Sequence, residues 1–157
     1  MFKSHLLGHR LAAVLFVFTG GSTASLASTP DTADEAANMQ TARNLYAAIF
    51  TARDFELAER NLGPEFIQHA GDVADGKAGL AQLISEIDQE FPEIRYDIKH
   101  ISAEGNLVTM MTHVHWTPGS LGTALSSIYR LNDGKIVEHW ETIQDVPADS
   151  ANGNGMF

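Results

Sequence analysis

Apolar residues follow a helical period up to Pro92 and a period of two after it. Before Pro92, apolar stripes predict helices over about residues 34–50 and 55–62, and a third that ends at Pro92. Residues 66–69 are expected to be a brief extended or irregular piece. After Pro92, alternation predicts strands over residues 93–103, 107–117, 123–131 and 135–145. Their short links favour an antiparallel meander, so the pattern predicts an α+β fold.

Residues 1–27 have the pattern of a secretory signal peptide. Lys3 and Arg10 give a basic start, the block from Leu11 to Phe18 is apolar, and small residues lead to a cleavage site expected after Ala27. The apolar block is shorter than the roughly 20 residues that span a bilayer, so no stable membrane anchor is expected after cleavage. We therefore expect a periplasmic or secreted protein with one domain over residues 28–157.

Composition limits the chemistry that the chain can perform. The 157 residues hold 20 Asp and Glu, 10 Lys and Arg and no cysteine, for a formal net charge of −10. Loss of Lys3 and Arg10 with the signal peptide would take this charge to −12. An acid excess argues against nucleic acid as a partner, because phosphates bind to basic surfaces. Without cysteine, the candidate groups are histidines, carboxylates, hydroxyls and amides.

Histidines concentrate on the predicted strands. His113 and His115 are two residues apart, so they project from the same side of their strand, together with Met111. His139 and Glu141 share a face of the last strand in the same way. If both faces point inward, one cavity would hold all three histidines and the glutamate. Such a group could carry out proton transfer near neutral pH.

Two other interpretations of these histidines stay open. Strand histidines are often exposed or hydrogen-bonded for structural reasons, and Trp116 and Trp140 would then belong to the core or to a dimer face. The His113-x-His115 pair with a distant histidine and glutamate is also similar to the three-histidine, one-carboxylate metal set of cupin barrels. Residues 117–122 lack the acid that would complete that set, and helices at the start of the domain fit a barrel badly. We therefore expect no metal.

Six segments between residue 40 and the end of the chain carry a resemblance to a known family. In order they read Phe66-Ile-Gln-His69, Asp75-Gly-Lys-Ala-Gly-Leu80, Phe91-Pro92, Ala103-Glu-Gly-Asn106, Asp133-Gly-Lys-Ile-Val-Glu-His-Trp140 and Asn154-Gly-Met-Phe157. Together they resemble the SnoaL-like polyketide cyclases of the nuclear transport factor 2-like superfamily. The ending NGMF resembles a narrower bacterial subgroup, the SnoaL-like aldol-condensation enzymes.

The resemblance implies a cone-shaped fold, in which a curved antiparallel sheet packs on N-terminal helices and encloses a hydrophobic pocket. It also implies a homodimer formed through the sheet, and chemistry without metal or cofactor. In the characterised cyclases a carboxylic acid beside a histidine removes a proton α to a carbonyl group, and the enolate closes a ring by aldol addition. The acid position of the family is Ser127 in this chain, and Ala70-Gly71 stands where the family often has Asn-Pro. Serine is not an unassisted base at neutral pH.

Two functions follow as alternatives. The first is a metal-free and cofactor-free lyase or isomerase that acts on a small apolar carbonyl compound. Its expected catalytic residues are His113 or His115 as the base, Glu141 and His139 as orienting or polarising groups, and Ser127 as a hydrogen-bond donor. Its other expected pocket residues are His69, Met111, Trp116 and Tyr129. The second function is a non-catalytic binding or interaction module on the same fold, motivated by the serine at the acid position and by the export signal.

The end of the chain gives a separate expectation. Residues 147–154 are polar, yet the chain closes on apolar Met156 and Phe157. We expect Phe157 to dock against a hydrophobic surface rather than fray.

Overall fold

The computed structural model describes residues 32–157, and the expected signal peptide lies outside this range. Helix α1 spans Thr32–Tyr46 and continues as a π-helical segment over Ala47–Ala52, α2 spans Phe55–Glu59, and α3 spans Gly76–Glu90. The strands are β1 (Leu62–Gln68), β2 (Arg95–Glu104), β3 (Leu107–His115), β4 (Thr123–Asn132) and β5 (Lys135–Asp145). No helix within the described residues is long and apolar enough to cross a membrane.

The strands form one sheet in the order β1-β5-β4-β3-β2. Strands β2 to β5 pair antiparallel in chain order, which confirms the predicted meander. Asp133 and Gly134 both have positive φ at the turn between β4 and β5, as a tight hairpin requires. The sequence pattern predicts only a brief extended piece at 66–69, whereas β1 pairs in parallel with β5 along an edge of the sheet. Pro64 is tolerated there because an edge strand has one side without ladder hydrogen bonds.

The helices cover one face of the sheet, which we call the inner face. Along β3 the even-numbered residues Val108, Met110 and Val114 are fully buried, and they pack with Leu45 and Ile49 of the first helical segments. The opposite face, the outer face, carries the odd-numbered residues of β3 because side chains alternate with a period of two. The sheet is curved and unclosed, and this is the predicted α+β architecture.

The loop from His69 to Asp75 joins β1 to α3 and is held at both ends. The Asp75 carboxylate accepts the backbone N–H groups of Gln68 and Gly76, both at 2.8 Å. Gly79 of α3 faces the carbonyl group of Ala74 so closely that a Cβ atom at this position would collide with it. The absence of a side chain at Gly79 therefore lets α3 lie directly against the loop.

Candidate functional site

Polar side chains interrupt the apolar inner face on β4 and β5. Ser127 is paired with Glu141, and Tyr129 with His139, across the ladder between these strands. Ser127, Tyr129 and His139 are buried, and the Glu141 side chain is 12% exposed. The ladder register therefore brings a hydroxyl, a carboxylate and an imidazole to one place under the helices.

Two hydroxyl groups form a hydrogen-bonded chain that ends at the Glu141 carboxylate. The Ser127 hydroxyl donates to Oε2 of Glu141 at 2.8 Å, and the Tyr46 hydroxyl of α1 lies 3.3 Å from Oγ of Ser127. Because the one proton of Ser127 is committed to Glu141, Tyr46 is the donor in the second contact. Burial raises the pKa of Tyr46 well above its usual value, so this phenol keeps its proton.

Burial raises the pKa of Glu141 to about 7, because the charged carboxylate loses contact with water. The hydrogen bond from Ser127 lowers this pKa, and the charge of Asp72 raises it. Glu141 therefore exchanges its proton near neutral pH, which is the range in which a general base is most effective.

Gln68, at the end of β1, fixes the ring of His139. The side-chain oxygen of Gln68 accepts the backbone N–H of Ala70 at 3.0 Å and lies 3.0 Å from Nδ1 of His139. Since only the amide oxygen can accept from Ala70, Nδ1 of His139 must be the donor in the second contact. In the neutral ring the proton is therefore on Nδ1, and Nε2 carries a lone pair.

The Nε2 atom of His139 is buried and has no hydrogen-bond partner among the described residues. It lies 3.8 Å from Oε2 of Glu141, which is too long for a hydrogen bond. Burial, together with the charge of His69, lowers the pKa of His139 to about 4, so the ring is neutral at physiological pH. The neutral ring stacks on Tyr129, with 4.6 Å between the ring centroids.

A small interior cavity of about 40 Å³ lies between these polar groups and the helices. Glu141, His139 and Tyr129 line one side, and apolar residues that include Phe66, Leu80 and Val73 form most of the rest. This volume holds a water molecule or a very small fragment. A larger ligand would require the loop from His69 to Asp75, or α3, to move.

The structure divides the predicted catalytic residues between the two faces of the sheet. Ser127, His139 and Glu141 meet at the cavity, whereas His113 and His115 lie on the outer face. The expectation that both histidine-bearing faces point inward is therefore wrong for β3. The physical reason is the burial pattern of this strand, because its even-numbered residues pack under the helices.

On the outer face, His113 and His115 contact the chain between β3 and β4. Nε2 of His113 lies 2.7 Å from the carbonyl oxygen of Leu121, and Nδ1 of His115 lies 3.2 Å from that of Ser120. The ring of Phe157 stacks on His113, with 4.4 Å between centroids, and remains 46% exposed. The last residue therefore packs against the outer face and not at the cavity.

The predicted pocket residues also separate. Tyr129 lines the cavity. Met111 lies on the outer face with the odd-numbered residues of β3, and His69 stacks on Trp140 with 5.0 Å between centroids. Trp116 follows β3 and donates to a threonine hydroxyl of β4 at 2.8 Å. The prediction that the pocket contains Met111, His69 and Trp116 is therefore corrected. The position of Met111 on the outer face and the contacts of the two rings keep all three away from the cavity.

A model of the SnoaL-like polyketide cyclase family matches residues 40–150, which is more than half of the chain. The chain belongs to this family. No curated protein matches this SnoaL-like chain.

Solved structures have the same fold at low sequence identity. A candidate polyketide cyclase from Bacillus cereus is 22% identical with a TM-score of 0.60, over 68% of this chain and 74% of that chain. AclR, a candidate hydroxylase from Streptomyces galilaeus, is 23% identical with a TM-score of 0.59, over 71% and 81%. A candidate SnoaL-like polyketide cyclase from Jannaschia is 14% identical with a TM-score of 0.57, over 69% and 86%. At these identities the likeness shows the fold alone.

The SnoaL-like site contains two residues that sequence reasoning does not single out. Tyr46 is one position in the apolar stripe of the first helix, and Gln68 is only one letter of a family segment. A polar residue that ends an apolar strand directly before a loop is the signal that could have drawn attention to Gln68.

The four residues of the metal hypothesis cannot form one set, because His113 and His115 lie on the opposite face of the sheet from His139 and Glu141. Within residues 32–157, no group of three or more histidine or carboxylate side chains is arranged to hold a metal ion. The alternation of β3 therefore removes the arrangement on which that hypothesis rests.

Proposed function

We propose that this SnoaL-like protein binds a small carbonyl compound in its interior cavity and transfers a proton at the carbon next to the carbonyl group, as a lyase or isomerase. The observation that supports this most strongly is the buried Glu141 carboxylate at the cavity wall. It is held by the Ser127 hydroxyl at 2.8 Å and lies 3.8 Å from the lone pair-bearing Nε2 of His139.

Glu141 is the base in this proposal, in place of His113 or His115. Its carboxylate takes the C–H proton, the electron pair of that bond forms an enolate, and the resulting carboxylic acid returns the proton in the next step. A pKa of about 7 suits both the removal and the return of the proton, because comparable fractions of Glu141 are ionised and protonated at neutral pH. Ser127 holds the carboxylate in place through its hydrogen bond, and Tyr46 in turn donates to Ser127.

The cavity restricts the ligand. Its volume of about 40 Å³ holds only a very small fragment, so a ketone would enter as the loop from His69 to Asp75, or α3, moves. The mainly apolar walls favour a ligand whose body is apolar and whose polar end meets Glu141 and His139.

Hydrogen exchange with solvent tests the proposal directly. Small ketones are incubated with the protein in D₂O, and deuterium incorporation next to the carbonyl group is followed by ¹H NMR. We expect Glu141→Gln to lower the exchange rate about hundredfold or more, which is the usual contribution of a positioned base. Glu138→Gln is the matched control, because Glu138 is on the same strand and takes part in an ion pair with Arg130 away from the cavity.

Two outcomes would contradict this function. Equal exchange by the wild type and Glu141→Gln would place the base elsewhere. Binding of ketones by the wild type without any exchange would instead support a non-catalytic binding module.

Export and dimerisation are further parts of the proposal. The pattern of residues 1–27 supports a periplasmic or secreted location, and a mature N-terminus at Ser28 by mass spectrometry would test it. A dimer through the outer face is supported by the 39% exposed Ile128 of β4 beside Trp140 of β5. Sedimentation equilibrium of the wild type and Ile128→Asp would test that interface.

A further inference from the structure

Within residues 32–157, Nε2 of His139 is a buried acceptor at the proposed site that has no hydrogen-bond partner. The hydroxyl groups nearby have other partners, because Ser127 donates to Glu141, Tyr46 donates to Ser127, and the Tyr129 hydroxyl interacts with Ser127 and Tyr46. A protonated Glu141 is a further potential donor, but its Oε2 is 3.8 Å away. A buried acceptor without a donor is unfavourable, so a molecule in the cavity is expected to supply one.

Gln68 ensures that this atom is an acceptor and not a donor. Its amide oxygen accepts from Ala70 and from Nδ1 of His139, and both contacts are 3.0 Å long. If the Gln68 amide were flipped, its NH₂ group would face the N–H of Ala70, and two donors would meet without an acceptor. Gln68 is therefore a positioning residue that selects the tautomer of His139.

We infer that the ligand carries a hydroxyl group that donates to Nε2 of His139, on the carbon that Glu141 deprotonates, so the substrate class is α-hydroxy carbonyl compounds. The 3.8 Å between Nε2 and Oε2 supports this pairing. A single hydroxyl-bearing carbon can direct its O–H to Nε2 and its C–H to Oε2. The reactive part of the inference rests on the proposed function of Glu141, whereas recognition of the hydroxyl group does not.

The chemical step needs no partner beyond the ligand. The Glu141 carboxylate takes the C–H proton of the hydroxyl-bearing carbon, the electron pair of that bond forms a C=C bond, and the carbonyl oxygen becomes an enediolate oxygen. Return of the proton from Glu141 to the same carbon restores the ketone. In D₂O the returned atom is deuterium, so the step leaves a label.

A pair of probes that differ by one methyl group tests the hydroxyl requirement. Acetoin carries the hydroxyl group, and 3-methoxybutan-2-one carries a methyl ether in its place. We expect the wild type to bind acetoin about tenfold more tightly by calorimetry, because only acetoin donates a hydrogen bond. Long-range ¹H–¹⁵N spectra should show the proton of His139 on Nδ1 in the free protein, and acetoin alone should shift the Nε2 resonance. Equal affinities, no binding of acetoin, or a proton on Nε2 in the free protein would overturn the inference.

Two variants separate this inference from the proposed function. Glu141→Gln should lose deuterium exchange and keep the preference for acetoin. A wild type that prefers acetoin without exchanging its proton would therefore contradict only the catalytic role of Glu141.

Gln68→Met removes the acceptor for Nδ1 of His139, and we expect a lower Nδ1–H population and a preference for acetoin below about threefold. Gln82→Met on the exposed surface of α3 is the control. If Gln68→Met does not fold, the wild-type spectrum and the two probes still decide.

Discussion

Two histidine–glutamate pairs, one inside the molecule and one outside, have similar side chains and different chemistry. His139 and Glu141 are buried, 3.8 Å apart and not hydrogen-bonded to each other. His69 and Glu138 are 2.9 Å apart at the surface, and hydrogen bonds from Arg130 and His69 lower the pKa of Glu138. Loss of water raises the pKa of Glu141. Burial and missing partners, and not the spacing of the residues, therefore make the inner pair suited to proton transfer.

The largest predicted effect is on the pH dependence of stability. The pKa of Glu141 is about 7 in the folded state and near 4.5 in the unfolded chain, so the folded state binds more protons between these values. Relative to Glu141→Gln, the wild type should lose on the order of 2–3 kcal/mol of unfolding free energy as pH rises from about 4.5 to about 7. His139, Tyr46, Tyr129 and Asp72 surround this carboxylate and are unchanged in the variant. Urea unfolding of both proteins across this range is the measurement.

Glu138 should behave in the opposite way. Its pKa is lowered in the folded state, so its contribution to stability is present above about 4.5, the usual value, and is lost as pH falls below it. The stability that Glu138 contributes relative to Glu138→Gln should therefore fall in acid, whereas the contribution of Glu141 falls as pH rises. If the difference in unfolding free energy from the wild type depended on pH in the same way for Glu138→Gln and Glu141→Gln, burial would not distinguish the two pairs.

The histidines should differ in their effect on catalysis. We expect His139→Ala to lower the deuterium exchange rate of acetoin about tenfold, because the hydroxyl group loses its acceptor. His69→Ala and the double variant His113→Ala/His115→Ala should stay within about twofold of the wild type, because these rings lie away from the cavity. NMR exchange rates measure this, and a large loss of exchange in the double variant would mean that the base lies on β3.

Removal of the Ser127 hydroxyl should move the pH profile. The hydrogen bond from Ser127 lowers the pKa of Glu141, so Ser127→Ala should raise that pKa, and the rising limb of exchange activity should shift to higher pH. Ser126→Ala, one residue away on the exposed outer face, should leave the profile unchanged. A profile of Ser127→Ala that superimposes on the wild type would mean that another group sets the limb.

The smallest predicted effect is at the end of the chain. Phe157 is 46% exposed and contacts His113, so Phe157→Ala should lower the unfolding free energy by less than about 1 kcal/mol. Thermal unfolding measures the change, and acetoin exchange should be unaffected. A loss of exchange in this variant would connect the outer face to the cavity.

Much of the fold can be predicted from local sequence patterns. The period-two segments and the Asp133-Gly134 turn predict β2 to β5, because a short hairpin needs only neighbouring residues. Strand β1 cannot be predicted in this way, since its partner β5 lies at the far end of the chain and pairs in parallel. The parallel pairing also places Gln68 beside His139, so the residue that fixes the tautomer is missed for the same reason.

Site residues can be predicted from the sequence only on a strand where one face is distinctly apolar or distinctly carries titratable side chains. On β5, His139 and Glu141 share a face, and the structure places both at the cavity. On β3, Met110 and Met111 put an apolar side chain on each face, so alternation alone does not tell which face is buried. The packing of α1 against the sheet decides which face of β3 is buried, and the sequence of the strand alone does not contain this information.

The pairing of Ser127 with Glu141 has an evolutionary consequence. Residues opposite each other on antiparallel strands project to the same place, so an acid can move from one strand to its neighbour while its carboxylate keeps the same surroundings. The resemblance to the family implies that its acid position is Ser127 in this chain, and the residue across the ladder from Ser127 is Glu141. Alignment by position would count such a protein as having lost its acid. Comparison by cross-strand pairs would detect such an exchange of positions between neighbouring strands.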